Sequence, residues 1–556
     1  MAFTGVDLVQ ILAALLAVTF LTPLLGNYMF KVFTGQRNVV INIFRPLEVA
    51  VYKIAGIRET EEMNWKSYAK TLLIFNFLGL IFLMLLLMLQ GVLPLNPENI
   101  PGVSWHLAFN TAVSFVTNTN WQAYSGENTL SYLTQMLGLG VQNFVSAATG
   151  LAVLLAIARG IVNKQSSNLG NFWVDLTRGT VHVFLPLSII FTVILMGQGV
   201  VQNFLPYDHI KTVEGVEQVI PQGPAASQIA IKQLGSNGGG YFGVNSAHPF
   251  ENPTPLSNFL QTVALLAIAA GCTYLFGLMV GSRRQGWVLF GVMMALLVTT
   301  LSVSMWSEYA FGSMEGKEVR LGVANTVVWS VFTTAASNGS VNGMLSSMTP
   351  LSGGIAMLNM MLGEVVFGGV GAGMYGILLF VILTVFLAGL MVGRTPEYLG
   401  KKIEAREITW TVVGVLAPCA TILLGSALSV MVPAGLAGLG HQGPHGLSEV
   451  LYAFSSAAGN NGSAFGSLSV NTVFYNVMLG VSMLIGRFAI IIPVLIVAGS
   501  LSAKKISPPS SGTFKTDSLL FGGLLASVIL IVGALTFFPA LSLGPILEHL
   551  LMISQG

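Results

Sequence analysis

Four short polar sequences, Thr117-Asn118-Thr119, Ser236-Asn237-Gly238, Ser337-Asn338-Gly339 and Asn460-Asn461-Gly462, each follow a short apolar segment and precede a long hydrophobic run. Backbone carbonyls and hydroxyls gathered around one axis can replace the hydration shell of a cation. None of the four carries a carboxylate, so they suit a weakly hydrated monovalent ion better than a divalent one. Glycine lets neighbouring carbonyls turn toward a common axis because it tolerates positive φ. Short helices ending at such loops would add partial negative charge from their C-termini. The first copy has Thr119 where the others have glycine, followed by Asn120, Trp121 and Gln122. Gln122 either adds a side-chain oxygen near the mouth or makes a loop hydrogen bond. One copy alone reads as a turn; four in matching surroundings read as a selectivity filter.

Such loops need a membrane scaffold, and the composition supplies one. Of 556 residues, 53% are hydrophobic and 8% charged, against about 25% charged in a soluble domain. A net charge of +2 argues against nucleic acid as a partner and leaves membrane lipids as the surroundings. Apolar runs long enough to cross, at roughly 20 residues each, fall near 6–30, 70–94, 130–160, 174–204, 256–280, 287–306, 351–393, 409–432, 472–500 and 518–539. The first reads as a transmembrane helix and not as a removable signal, because no basic residue precedes it and no small-residue cleavage site follows. Cys272 and Cys419 lie within spans and read as structural thiols.

Four shorter segments, near 105–117, 226–235, 322–336 and 447–458, suit re-entrant half-helices. Nineteen of the 24 Lys and Arg residues fall on one side of the resulting topology, while Lys211, Lys232, Lys317 and Arg320 fall on the other. The positive-inside rule then puts both termini and all four half-helices on the extracytoplasmic side. The fold expected is an all-α polytopic membrane protein of about ten transmembrane helices, with four pseudo-symmetric membrane–pore–membrane repeats around one ion pathway. The repeats fall at 70–162, 163–281, 282–408 and 409–503. Segment 1–69 holds a first helix and a cytoplasmic stretch, and 504–556 a linker and the last helix.

The sequences Ser114-Phe115-Val116-Thr117-Asn118-Thr119-Asn120-Trp121-Gln122, Gly235 to Phe242, Gly363 to Gly371 and Gly393 to Lys402 strongly resemble the potassium-binding A subunit of the bacterial Kdp-type potassium-transporting ATPase. The resemblance covers essentially the whole chain, in order. It implies a channel-like subunit of the superfamily of potassium transporters, with K+ as the transported ion. It also implies a P-type ATPase catalytic subunit, a single-span C-type accessory subunit and a small F-type peptide subunit as partners in the bacterial cytoplasmic membrane. High-affinity uptake, and K+ over Na+, are what the resemblance implies; the loops alone reach "monovalent cation". One departure is Asn338, where some members carry cysteine.

No Walker-type loop and no Asp-Lys-Thr-Gly occurs, and the cytoplasmic stretch 31–69 is too short for a nucleotide-binding domain. The chain is therefore expected to carry no catalytic site and no cofactor, ATP and Mg2+ being used by the partner. The alternative is a stand-alone potassium channel or ion-coupled symporter of the same superfamily. His441 and His445 are spaced by four, but Gly443 and Pro444 between them oppose a shared helical face, so no transition-metal site is expected.

The seventh run is twice one crossing. Two crossings there would invert every later loop, so it reads as one crossing interrupted at Gly368-Gly369-Val370-Gly371-Ala372-Gly373. Irregular backbone at that depth must face protein or water. Together with the resemblance, this suggests a gating loop beneath the filter; close helix packing is the alternative. Glu364 just before the break and Arg487 in the ninth span are read as lining the vestibule, Glu364 attracting cations and Arg487 opposing leakage; a buried ion pair is the alternative. An arginine at mid-bilayer costs at least about 2.5–3.5 kcal/mol. After the span come Arg394, Glu397, Lys401 and Lys402. The lysines read as a positive-inside anchor; Arg394 is either part of that anchor or, as the resemblance implies, a cytoplasmic docking or gating contact.

Overall fold

The computed structural model describes residues 2–391, 393, 395–508 and 514–555; Arg394 lies outside them. Ten helices among the described residues are long and apolar enough to span a bilayer: Gly5–Phe33, Trp65–Val92, Thr134–Val162, Phe172–Gly197, Pro255–Met279, Arg283–Phe311, Ala372–Met391, Ala405–Met431, Val473–Ser502 and Leu519–Ser554. They sit where the ten apolar runs lie. The expected all-α polytopic fold is the observed one.

Burial separates the scaffold from its periphery. The most apolar stretches of Thr134–Val162 and Pro255–Met279 are 83% and 89% buried within the protein, whereas that of the first helix is 17% buried. The first helix packs mainly along Pro255–Met279, where Gly26 and Gly271 let the two backbones approach closely. Small residues serve membrane helix packing in this way, because lipid offers no hydrophobic drive to association.

Four shorter helices, Trp105–Val116, Ala225–Leu234, Gly322–Ala335 and Gly443–Gly459, occupy the positions expected for half-helices. The seventh run is broken, as its length requires, but earlier than its glycines suggest. A helix over Pro350–Met361 stops, and the spanning helix resumes at Ala372. The reason is local: Gly363, Glu364, Phe367 and Gly371 all take positive φ, which no helix continues through. Glu364 therefore lies inside the break.

Elements outside the spans were less legible. Val39–Ala55 is an amphipathic helix that exposes Val39, Ile43, Leu47 and Ile54 and buries Glu48 against Arg45, Arg178 and His182. Burial alone would raise the Glu48 carboxyl, but hydrogen bonds from His182, Tyr52, Arg45 and Arg178 outweigh it and hold the group well below the usual carboxylate range. An antiparallel hairpin pairs Asp208–Lys211 with Glu217–Ile220. A second, minimal one pairs Glu397–Tyr398 with Lys401–Lys402. Lys401 corrects the anchor reading. Its ammonium is buried and donates to the carbonyls of Leu501 at 2.9 Å and Lys504 at 2.7 Å, where the ninth spanning helix ends and its carbonyls lack helical partners.

Candidate functional site

Each half-helix ends in the same backbone pattern. A left-handed residue follows the cap in the first three (Asn118, Ser236 and Ser337, φ 64°, 46° and 55°) and is itself the cap in the fourth (Asn460, φ 57°). The residue two further on is left-handed again (Asn120, Gly238, Gly339 and Gly462, φ 54°, 79°, 83° and 102°). Between them, the N–H of Thr119, Asn237, Asn338 and Asn461 returns to the carbonyls of Ser114, Lys232, Thr333 and Ser456 at 2.8–3.1 Å. This places the first loop one residue out of the expected register. Thr119 matches the middle asparagines, and Asn120, not Thr119, fills the glycine position. Asparagine is the side chain that best tolerates left-handed backbone, which is why that substitution is possible there.

The four loops close a ring in chain order. Asn118 Nδ2 donates to Ser236 O at 2.9 Å, and Asn237 Nδ2 to Asn118 Oδ1 at 2.6 Å. Asn338 Nδ2 reaches back to Lys232 O at 3.0 Å, and Asn461 Nδ2 to Thr333 O at 2.8 Å. Ser337 Oγ donates to Asn460 O at 2.9 Å, and Asn460 Nδ2 to Thr119 Oγ1 at 3.0 Å, which joins the fourth loop to the first. Glycine is demanded by contact as well as by φ. A Cβ at Gly238 would stand 1.5 Å from Asn338 O, one at Gly339 2.0 Å from Asn461 O, and one at Gly462 2.1 Å from Thr119 O.

The carbonyl oxygens of Thr119, Asn237, Asn338 and Asn461 accept no hydrogen bond among the described residues. They occupy the same place in the four loops. A buried carbonyl without a donor is uncommon, and four in one ring form a ready-made set of neutral oxygen ligands. The half-helix C-termini point their negative dipole ends at the same place. On one side of the ring lies a cavity of about 370 Å³, lined by Asn120, Gln122, Gly239, Gly339, Gly462 and Lys317 among others. Gln122 takes the loop-bond alternative: its amide donates to Gly240 O at 3.0 Å and accepts from Gly240 N at 2.7 Å.

The broken helix lies against the ring. Gly369 N donates to Ala336 O, the cap of the third half-helix, at 2.7 Å. Gly371 abuts Gly150, where a Cβ would stand 2.2 Å from the carbonyl oxygen; Gly368 is more crowded still, a Cβ there standing 1.6 Å from Glu364 O. The Glu364 carboxyl is buried against Gly459, and its Oε1 finds no hydrogen-bond partner among the described residues. Arg487, also buried, donates from Nη2 to Ser146 O at 3.0 Å. The ion-pair alternative for these two is thus not realised.

Sequence reasoning missed two features here. Asn120 cross-links the ring, donating to Gly238 O at 3.0 Å and Asn143 Oδ1 at 2.8 Å. Lys232, read only as an outer-side charge, is buried directly behind the second loop with Glu251. The contacts Asn118–Ser236, Asn120–Gly238 and Gln122–Gly240 all span 118 residues, which sets the register of the first loop against the second. His441 and His445 share no helical face, yet their rings stand 4.7 Å apart, and with Glu449 they bring ligand atoms within 4.8 Å of one another. The helix begins at Gly443, so His441 reaches the cluster from the preceding turn. Each imidazole already faces its own carboxylate, His441 to Glu449 and His445 to Glu548, both at 2.7 Å.

A family model described as potassium-transporting ATPase A subunit matches residues 12–550. Among curated relatives, a potassium-transporting ATPase potassium-binding subunit of Leptospira interrogans is 55% identical, covering 98% of this chain and 99% of its own. Proteins of the same name from Rhodospirillum centenum and Pseudomonas aeruginosa are 57% and 53% identical, again over 98% of this chain and 98% and 99% of theirs.

Proposed function

Because the chain belongs to the potassium-transporting ATPase A subunit family, we propose that it is the potassium-binding and translocating subunit of an ATP-driven uptake complex. It selects K+ on the extracytoplasmic side and passes it to a P-type ATPase subunit. The observation that carries this reading is the ring of four equivalent carbonyls, at Thr119, Asn237, Asn338 and Asn461, that accept no hydrogen bond from the described residues. Neutral oxygens in a cross-braced ring favour a weakly hydrated monovalent cation. Each loop sits in one of four membrane–pore–membrane repeats, with Thr117, Asn118, Gln122, Ser236, Ser337 and Asn460 positioning the carbonyls.

Beneath the ring, Glu364 draws the dehydrated ion onward, and the Gly368-Gly369-Val370-Gly371 loop gates its path. Arg487 opposes passage straight through, so the ion leaves sideways toward the partner. Arg394 makes a docking or gating contact on the cytoplasmic face. Both termini lie outside a bacterial inner membrane, a reading supported by the uneven distribution of basic residues. The partners are the P-type catalytic subunit, which uses ATP and Mg2+, with the C-type and F-type accessory subunits.

Purification of the tagged chain from its native membrane tests this. The expected result is a co-purifying subunit that becomes phosphorylated by ATP and is dephosphorylated on adding K+. A chain that purifies alone and conducts K+ in liposomes overturns the reading in favour of a channel.

A further inference from the structure

In the first and third half-helices, a hydroxyl three residues before the cap ties down its own loop. Ser114 Oγ donates to Trp121 O at 2.9 Å and Thr333 Oγ1 to Ser340 O at 2.7 Å, each seven residues on. The same position of the second half-helix is Lys232. Its ammonium makes the same bond, to Gly239 O at 2.9 Å, and also reaches Ser246 Oγ at 3.2 Å and the carboxylate of Glu251. The lysine side chain is 1% exposed and the glutamate 0%. Glu251 uses its other oxygen on the N–H groups of Tyr241 and Phe242, at 2.5 and 2.9 Å.

A buried ion pair costs several kcal/mol per ion in desolvation, yet a hydroxyl serves elsewhere. The difference lies in the loop. Gly238-Gly239-Gly240 has no side chains of its own to brace it, and glycine has the most backbone freedom to lose. The first loop has the Thr117–Thr119 hydroxyl contact at 2.7 Å, and the third has Ser340 Oγ on Asn338 Oδ1 at 2.5 Å. Lys232 and Glu251 hold the triglycine at its middle, by the carbonyl of Gly239, and just past its end, by the amides of Tyr241 and Phe242. The opposed charges cancel beside a path for a cation.

We propose that Lys232 and Glu251 form a charge-neutral strut that fixes the second loop and thereby sets the ion preference of the ring. They are positioning residues and do not touch the ion. The proposal rests on the filter reading above. It predicts that ion preference follows the strut's hydrogen bonds and not its charge.

Two neutral double variants separate these terms in the complex isolated from membranes. Lys232→Thr/Glu251→Gln keeps a donor for Gly239 O, as Thr333 does for Ser340, and an acceptor for the Tyr241 and Phe242 amides. Lys232→Met/Glu251→Gln removes the donor. Stimulation of ATP hydrolysis by K+, Rb+ and Na+ is titrated for each, with Gly339→Ala as a control on the ring. The threonine variant is expected to keep the parental ion preference, and the methionine variant to lose about tenfold in K+ over Na+, near 1.4 kcal/mol. Parental preference in both doubles, with the preference of Gly339→Ala altered, overturns the strut alone. Parental preference in all three overturns the filter reading with it. Equal loss in both doubles overturns the strut too, because charge and not the bond would then set preference.

Discussion

The carbonyl ring and the broken seventh helix are both irregular backbone at membrane depth, and they are held in opposite ways. The ring is stitched by side chains across neighbouring loops, with Asn118, Asn120, Asn338, Asn460 and Asn461 all donating between them. The break is held by glycine backbones pressed on carbonyls, Gly371 on Gly150 and Gly373 on Gly368, and it carries a carboxyl oxygen with no hydrogen-bond partner among the described residues. Side-chain amides fix distances between loops; close backbone contacts fix only a fit that can be left and regained. The first is suited to selecting an ion and the second to letting it go.

The largest expected effect tests the ring. Gly339→Ala puts a methyl on Asn461 O, so K+ half-saturation of ATP hydrolysis should weaken by at least about a hundredfold, near 2.8 kcal/mol, with loss of preference over Na+. Gly371→Ala is the matching change in the break and should cut turnover while leaving ion preference as it was. Equal loss of preference in both would erase the distinction.

Next come the charges beside the break. Glu364→Gln should raise the K+ half-saturation about tenfold without altering preference, and Arg487→Ala should uncouple ATP hydrolysis from uptake in proteoliposomes. Unaltered affinity and coupling in both variants would remove these residues from the pathway.

A smaller effect sharpens the register. Asn120→Gly gives the first loop the glycine of the others but deletes two hydrogen bonds, each worth roughly 1 kcal/mol. Potassium affinity should fall only a few-fold, measured by the same titration, and by more in Asn120→Ala, which adds left-handed strain.

The smallest effect on ion binding lies far from the ring. Because Glu48 titrates below its usual value of 4.5, its contribution is fully present above that pH and is lost as pH falls toward the depressed value. The thermal midpoint should therefore be insensitive to Glu48 titration above about pH 4.5 and drop below it, with K+ affinity at neutral pH unmoved by Glu48→Gln. An acid-side slope that survives in Glu48→Gln would assign it to other carboxyls.

By itself the sequence determined the membrane class, the ten spans and the four half-helices, because apolar length is a one-dimensional property that a bilayer reads directly. It also required a break in the seventh run, since one crossing cannot use that many apolar residues. Where the break begins was decided by left-handed Gly363 and Glu364, which a cluster of glycines further on had masked. Only tertiary structure decided that Asn120 fills a glycine position, that Lys232 stands in for a hydroxyl, and that His441 joins His445 across a helix start. Each of those depends on which backbone groups from separate loops meet, and pairing across a closed ring is a three-dimensional constraint that leaves little trace in local composition.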